Sequence, residues 1–368
     1  MKKLILVAVS TAVALSLGAC AANENTPADQ STDAATGAVS PLSGTINAGG
    51  SSAQTAAQEA WRAGFQNANP NVTVNYDPTG SGTGRQNFTD GGYMVAGTDA
   101  AFALDEVAGP FAACAAGSKL VEVPAYISPI AIGFTLAGIA SLNLDAETIA
   151  AIFAGQITSW DDPAIAAQNP GVDLPGTAIT PVHRSDQSGT TENFTDYLAK
   201  AAPSSWTWPS AQTWPTDLGG EAAEKTQGMR ETVAATQGAI GYIDASQAAS
   251  MGTVAVKVGT AYVTYSASAA AAAVGESPLE QGRDPVDVVV ALDRTLTDPG
   301  VYPVVLVSYL AACEQYADAG DGQLVKAYLD YVISADGQKA AADNAGSAPI
   351  STDPALSGKA QAAVDAIR

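Results

Sequence analysis

His183-Arg184-Ser185-Asp186-Gln187-Ser188-Gly189-Thr190-Thr191 is the stretch that decides how this chain is read. It opens a helical pattern whose apolar face is Phe194, Tyr197 and Leu198, so the first N–H groups of a helix lie beside an arginine and several hydroxyls. That combination is an oxyanion cradle. The helix start supplies oriented donors, Arg184 supplies a forked pair of charge-assisted bonds, and Asp186 is placed to hold the guanidinium. Two similar hydroxyl-and-glycine stretches lie far upstream, Ala48-Gly49-Gly50-Ser51-Ser52 and Thr79-Gly80-Ser81-Gly82-Thr83-Gly84. We expect the three loops to meet on one ligand.

The upstream stretches sit where strands end. Thr45 to Ala48 reads as a short strand leading into a turn at Gly49–Ser52, and that turn is expected to cap a helix carrying Ala57, Ala60, Trp61, Gly64 and Phe65. Val72, Val74 and Tyr76 alternate as a strand running into a turn at Gly80–Gly84, and Tyr93 to Asp99 reads as a strand ending on a carboxylate. Ser51, Ser81 and Asp99 are thus delivered by strand ends, which is where open α/β sheets bind ligands. Farther on, the proline-containing apolar run Tyr126–Phe134 reads as a crossing strand, Asp145–Phe153 as a helix and Gly238–Ile243 as a strand. Tyr302–Val307 reads as the return crossing, followed by a helix with Leu324, Ala327, Tyr328 and Tyr331 on one face. The loop Pro203–Pro215, with Trp206, Trp208 and Trp214, is expected to pack over this second region.

A phosphate or sulfate taken out of water needs nearly all of its oxygen lone pairs satisfied. Hydroxyls and backbone N–H groups do this without adding charge. Asp99 discriminates: a carboxylate facing an anion repels it unless the ligand brings a proton, and hydrogen phosphate has one where sulfate has none. Selectivity for phosphate over sulfate is the expectation. His183, the only histidine, is read as a strand-end residue that helps aim its loop, and no metal or cofactor is expected. A nucleotide P-loop and a G-x-S-x-G nucleophile elbow are both missing from the sequence.

The N-terminus gives Lys2 and Lys3, an apolar run from Leu4 to Leu17, and Leu17-Gly18-Ala19-Cys20, read as a secretion signal over residues 1–19 ending at a lipobox. Cleavage before Cys20 and lipid attachment to its sulfur would leave a polar, low-complexity tether over residues 20–41 and a folded body beginning near Leu42. The chain carries 37 acidic and 16 basic residues, a net charge of −21 that becomes more negative once Lys2 and Lys3 leave. That balance argues against a nucleic-acid partner, and any anion site must rely on local dipoles and hydrogen bonds, with the bulk field damped beyond ~8 Å. With Cys20 claimed by the lipobox, Cys114 and Cys313 remain, an even number in an exported chain, which points to a disulfide.

These residues resemble the substrate-binding lipoproteins of bacterial ABC-type phosphate uptake, the PstS-like phosphate-binding proteins. The resemblance runs from about Thr45 to Ser351 and is densest in Ile152-Phe153-Ala154-Gly155-Gln156-Ile157-Thr158-Ser159-Trp160-Asp161-Asp162-Pro163 and in Val182–Thr191, with Trp214-Pro215 and Gly238–Tyr242 following in the family's order. It implies an α/β, two-lobed periplasmic-binding-protein-like (type II) fold, its lobes joined by crossover strands with a ligand cleft between them. Residues 42–126 plus 301–368 would form lobe I and residues 127–300 lobe II. Ser51, Ser52, Ser81 and Asp99 would bind phosphate from the first lobe, and Arg184, Ser188, Gly189 and Thr190 from the second. Ser51-Ser52 stands where the family often has Thr followed by an aromatic residue, so Ser52 would act through its backbone N–H. The implied function is phosphate capture at the extracytoplasmic face of the membrane by a lipid-anchored receptor, with delivery to a permease and ATPase and no covalent chemistry. The rival readings are a secreted phosphatase-like hydrolase using the same cradle, a receptor for another tetrahedral oxyanion such as sulfate or molybdate, and an adhesion or signalling module with a vestigial pocket.

Overall fold

Short parallel strands alternating with helices build the first part of the chain. The computed structural model describes residues 41–368, so the leader, Cys20 and the tether up to Ser40 lie outside the described residues. Strand β1 (Gly44–Gly50), helix α1 (Thr55–Ala68), β2 (Val72–Asp77), α2 (Ser81–Thr89) and β3 (Val95–Thr98) come first, with β2 and β3 parallel to β1 on either side. Helix α1 buries Ala57, Trp61 and Phe65, four residues apart, on the face toward the sheet.

The 15-residue β4 (Leu120–Phe134), buried along its whole length, then leads into the second part. There follow β5 (Ser141–Leu144), α3 (Ala146–Phe153), α4 (Pro163–Ala166), β6 (Thr180–Arg184), α5 (Gly189–Ala201), β7 (Glu221–Ala223), α6 (Lys225–Ala235), β8 (Ala239–Asp244), β9 (Gly252–Val258), β10 (Ala261–Val263) and α7 (Ala267–Gly275). Strand β11 (Val305–Cys313) returns, and α8 (Ala319–Ile333), α9 (Ala335–Ala345) and α10 (Pro354–Asp365) close the chain. The sheet order is β2-β1-β3-β11-β4-β8-β6-β7, with β9 joining β4, β5 and β10.

Both expected crossings are present, and they cross together. Residues Leu120–Pro129 of β4 pair antiparallel with β11, and from Ile130 onward β4 pairs with β8 instead. The N–H of Ile130 still reaches the carbonyl of Val304 at 2.7 Å, so the two segments run side by side through the exchange. Register shifts between Ser308 and Tyr309: Ser308 faces Tyr126 and Tyr309 faces Pro124, leaving Ala125 as the extra residue of a bulge.

Two hydrophobic cores lie on either side of this crossing. The first gathers Ile46, Trp61, Phe65, Val74, Val95 and Leu310 with Tyr328 and Leu329, and the second gathers Ile130, Phe134, Phe153, Trp160, Phe194 and Tyr242. Ala270, Ala273, Val274 and Val288–Val290, which the sequence reading places within lobe II, pack in the first core.

Two local expectations are corrected. The Gly80–Gly84 stretch is the first turn of α2, entered from Gly80 at φ +97, a conformation that only glycine adopts cheaply. The Gly49–Ser52 turn does not cap α1: its N-cap is Gln54, without a side-chain cap, and Ser51 Oγ accepts from the N–H of Ala53 ahead of the helix.

Cys114 and Cys313 are bridged, with Cα atoms 5.4 Å apart and 199 residues between them in sequence. The bond fastens the loop after β3 to the end of β11. Replacing both cysteines by serine is expected to lower unfolding free energy by about 3 kcal/mol, read from urea denaturation followed by circular dichroism. An unchanged midpoint and slope would remove the bridge from the stability of this domain.

Candidate functional site

All but one of the elements that reach the site do so from the carboxyl end of a parallel strand; the exception is Ser308, inside the antiparallel β11. Strand β1 ends at Gly50 and delivers Ser51 and Ser52; β2 leads to Ser81 at the start of α2; β3 ends at Thr98 and delivers Asp99. From the other side β6 ends on Arg184 and leads to Ser188, the N-cap of α5, while β7 leads to Thr226 at the start of α6. Ser188 Oγ accepts from the N–H of Thr191 at 3.2 Å, leaving the N–H groups of Gly189 and Thr190 without acceptors in the preceding turn.

Asp99 is where the loops converge. It is 3 % exposed, and its hydrogen-bond donors are hydroxyls from three segments: Ser308 to Oδ1 at 2.6 Å, Ser51 to Oδ2 at 2.7 Å and Thr190 to Oδ2 at 3.3 Å. Its backbone N–H donates to Ser81 Oγ at 3.3 Å. Burial raises the carboxyl pKa; the bonds from Ser308 and Ser51 and the nearby charge of Arg184 oppose that rise without cancelling it. Gly189 permits the approach of α5, since a Cβ there would lie 2.7 Å from the N atom of Ala100.

Arg184, 3 % exposed, is held by Asp186 as the sequence suggests. Its Nε donates to Oδ1 at 2.7 Å and its Nη2 donates to Oδ2. Burial pushes the Asp186 carboxyl up, but Arg184 and the N–H of Lys225, 3.0 Å from Oδ1, outweigh it and hold the group below the usual range. Lys225 makes that contact from φ +62, a left-handed conformation unusual for a side-chain-bearing residue. The next residue completes a second closure contact: Thr226 N–H donates to Ser52 Oγ at 3.0 Å, and the two hydroxyls lie 3.0 Å apart. The Ser52 hydroxyl is thereby engaged with Thr226 on the opposite side of the cleft. Gly82 N–H to the carbonyl of Gln187, 3.3 Å, is a further contact across the same gap.

All eight residues proposed as ligands, and Asp186, are thus brought to one region. Ser308, Thr226, Tyr242, Asn193 and Arg294 were not found by sequence reasoning. Ser308 had a usable signal, the one aliphatic hydroxyl in the otherwise apolar and aromatic strand Val305–Cys313. Tyr242 supports the loop from beneath, its hydroxyl accepting from the N–H of Arg184 at 3.1 Å and lying 2.8 Å from Thr191 Oγ1. His183 stacks on Trp214 with centroids 5.1 Å apart, and Trp206 and Trp214 are buried in the second core, as expected for that loop. Asp244, the last residue of β8, sits beside the crossing with Oδ1 accepting from the N–H and Oγ of Ser246 and Oδ2 buried without a partner.

Residues 35–336 match the model of the PBP superfamily domain. The chain is 36% identical over 310 residues to phosphate-binding protein PstS 3 of Mycobacterium leprae, covering 82% of this chain and 81% of that one. It is 34% identical over 346 residues to phosphate-binding protein PstS 3 of Mycobacterium tuberculosis, covering 92% of each. Among solved structures it is similar to a high affinity periplasmic phosphate-binding protein (PfluDING) bound with phosphate, with TM-score 0.69 and 24% identity over 87% of this chain and 93% of that one.

Burial pushes the Asp244 pKa up to about 6; the bonds from Ser246 oppose the shift, and the charge of Asp99 adds to it. A carboxyl raised in the folded state binds its proton more tightly there than in the unfolded chain, so its contribution to stability falls as pH rises from about 4 to about 6. Asp244→Asn should therefore gain on the parent protein across that window. The check is urea denaturation of both at pH 4.5 and pH 7; a difference independent of pH would show that Asp244 titrates normally.

Proposed function

The chain belongs to the PBP superfamily and, within it, to the PstS phosphate-binding proteins, and from that premise we propose that it captures inorganic phosphate outside the cytoplasmic membrane and delivers it to the permease and ATPase of an ABC transporter. The observation that carries this reading is the convergence on Asp99 of hydroxyls, helix starts and Arg184 from opposite sides of one cleft. In it Ser81, Ser188, the N–H groups of Ser52, Gly189 and Thr190, and Arg184 donate to phosphate oxygens; Ser51 and Thr190, whose hydroxyls donate to Asp99 Oδ2 in this structure, turn those protons to phosphate, and the freed Oδ2 accepts the proton of hydrogen phosphate. Asp186 keeps the guanidinium aimed.

Residues 42–126 with 301–368 act as one lobe and most of 127–300 as the other, with Ala270–Val290 moving with the first core. The hinge is the paired crossing of β4 and β11. Closure brings together donors that neither lobe holds alone and removes water from between them. The protein performs no covalent chemistry on this reading: its single histidine is stacked on Trp214, with Nδ1 3.0 Å from the carbonyl of Arg184, and it forms no serine–histidine pair of the hydrolase kind. Attachment is through lipid on Cys20; among the described residues no helix is long and apolar enough to cross a membrane.

Calorimetric titration of protein unfolded and refolded to strip ligand is expected to show one-to-one phosphate binding in the micromolar range or tighter, about −8 kcal/mol or better. Sulfate should be silent. Arg184→Ala should cost at least about 2 kcal/mol of binding, and Asp99→Asn should weaken phosphate while narrowing its advantage over sulfate. Equal binding of both anions by the parent protein would remove the proton-acceptor role from Asp99, and wild-type affinity in Arg184→Ala would remove Arg184 from the site.

A further inference from the structure

Arg294 is a buried cation outside the cradle, 2 % exposed, on the connection between α7 and β11. Its guanidinium ties two elements together. Nη1 donates to the carbonyls of Pro303 at 3.0 Å and Val305 at 2.6 Å, where the return crossing begins. Nε donates to Asp196 Oδ2 at 2.9 Å and Nη2 to Asn193 Oδ1 at 2.6 Å, both on α5. Asn193 then passes the connection on: its Nδ2 donates to the backbone carbonyl of Asp99 at 2.6 Å and to that of Gly189 at 2.9 Å.

The chemistry fixes the direction of this chain. Arginine only donates, so the amide oxygen of Asn193 must face it, and the amide NH₂ is left to face the two carbonyls. The same asparagine therefore binds the residue that presents the cradle's carboxylate and the first residue of the helix that presents its N–H groups. Asp99 follows β3 in the first part of the sheet, while Asn193 lies in α5, whose Phe194 and Leu198 pack in the second core. The Asn193–Asp99 bond therefore joins the two sides of the cleft.

We propose that Asn193 and Arg294 are positioning residues that latch the closed cleft and lengthen the time phosphate stays bound. The proposal rests on the phosphate-binding reading above. Neither residue is a ligand; Arg294 anchors Asn193 to the crossing, and Asn193 holds Asp99 against the start of α5. A contact formed after encounter slows escape and leaves encounter unchanged.

Asn193→Asp is the discriminating variant, because it keeps an acceptor for Arg294 and replaces the NH₂ by an oxygen facing two carbonyls. Stopped-flow and calorimetric measurements with inorganic phosphate on the full folded chain are expected to show dissociation at least tenfold faster, association within about twofold of the parent, and affinity lower by the same factor as dissociation. Arg294→Lys, which keeps the charge beside Asp196 but loses the fork, should move dissociation the same way and serves if Asn193→Asp does not fold. Small-angle scattering at half-saturating parent phosphate should give an even mixture of compact and extended forms for the parent and about one-tenth compact form for the variant. Parent-like dissociation in either folded variant would overturn the latch while leaving phosphate binding intact. A parent protein that takes up no phosphate would instead overturn the function on which the latch depends.

Discussion

Burying Asp99 is the constraint around which this molecule is arranged. A carboxylate withdrawn from water must be satisfied on both oxygens, and here the direct donors are hydroxyls from the turn after β1, from β11 and from α5, three segments distant in sequence. Each needs a device that brings it in. The bulge at Ala125 resets the register beside Ser308, Gly189 lets the start of α5 press against the Asp99–Ala100 backbone, and the end of β1 places Ser51 across from β3 through the bond from Ser51 N–H to the carbonyl of Gly97 at 2.7 Å. The two cores supply the rigidity that keeps these devices in register.

What could be read from the sequence was local. Arg184, Asp186, Ser188, Gly189 and Thr190 lie within seven residues, so a loop and the helix start it feeds carry nearly the whole pattern on their own. Strand ends were legible for the same reason, because alternation stops where the functional residue begins at Ser51 and Asp99. Glycine misled at Gly80–Gly84: three glycines in five residues argue against a helix by propensity, yet packing overrides it. A Cβ at Gly82 or Gly84 would strike the Gln187 side chain or the Gly50 backbone, so close approach selects glycine there in spite of its poor helix propensity. Residues whose partners are remote left little trace. Thr226 meets Ser52 across 174 residues and Arg294 meets Asn193 across 101, and nothing near either in the chain announces the pairing.

The acidity of the whole chain and the capture of an anion are compatible because they act at different ranges. A net charge of −21 spread over the surface is screened within ~8 Å of salt solution, whereas a helix start or a hydroxyl acts at contact. Such a site gains little from long-range attraction and must depend on completeness of its inner shell. That places the burden on closure: Thr226 on Ser52, Gln187 on Gly82 and Asn193 on Asp99 are contacts between the two sides, and each draws a different cradle loop inward.

Discrimination follows from the same economy of charge. Adding cations would strengthen binding to every tetrahedral oxyanion and would separate none of them, since phosphate and sulfate present nearly the same shape. An acceptor separates them. A buried carboxylate that already has neutral donors on both oxygens tolerates a ligand that offers a proton and rejects one that brings only lone pairs, because the second case leaves two desolvated negative groups facing each other. The raised pKa of Asp99 belongs to this logic: the burial that makes its charge costly also makes it a stronger proton acceptor than an exposed carboxylate. On the proposed reading, selectivity is therefore a property of how deeply one acidic side chain is buried, and the hinge, the latch and the glycine-lined approaches are what keep it there.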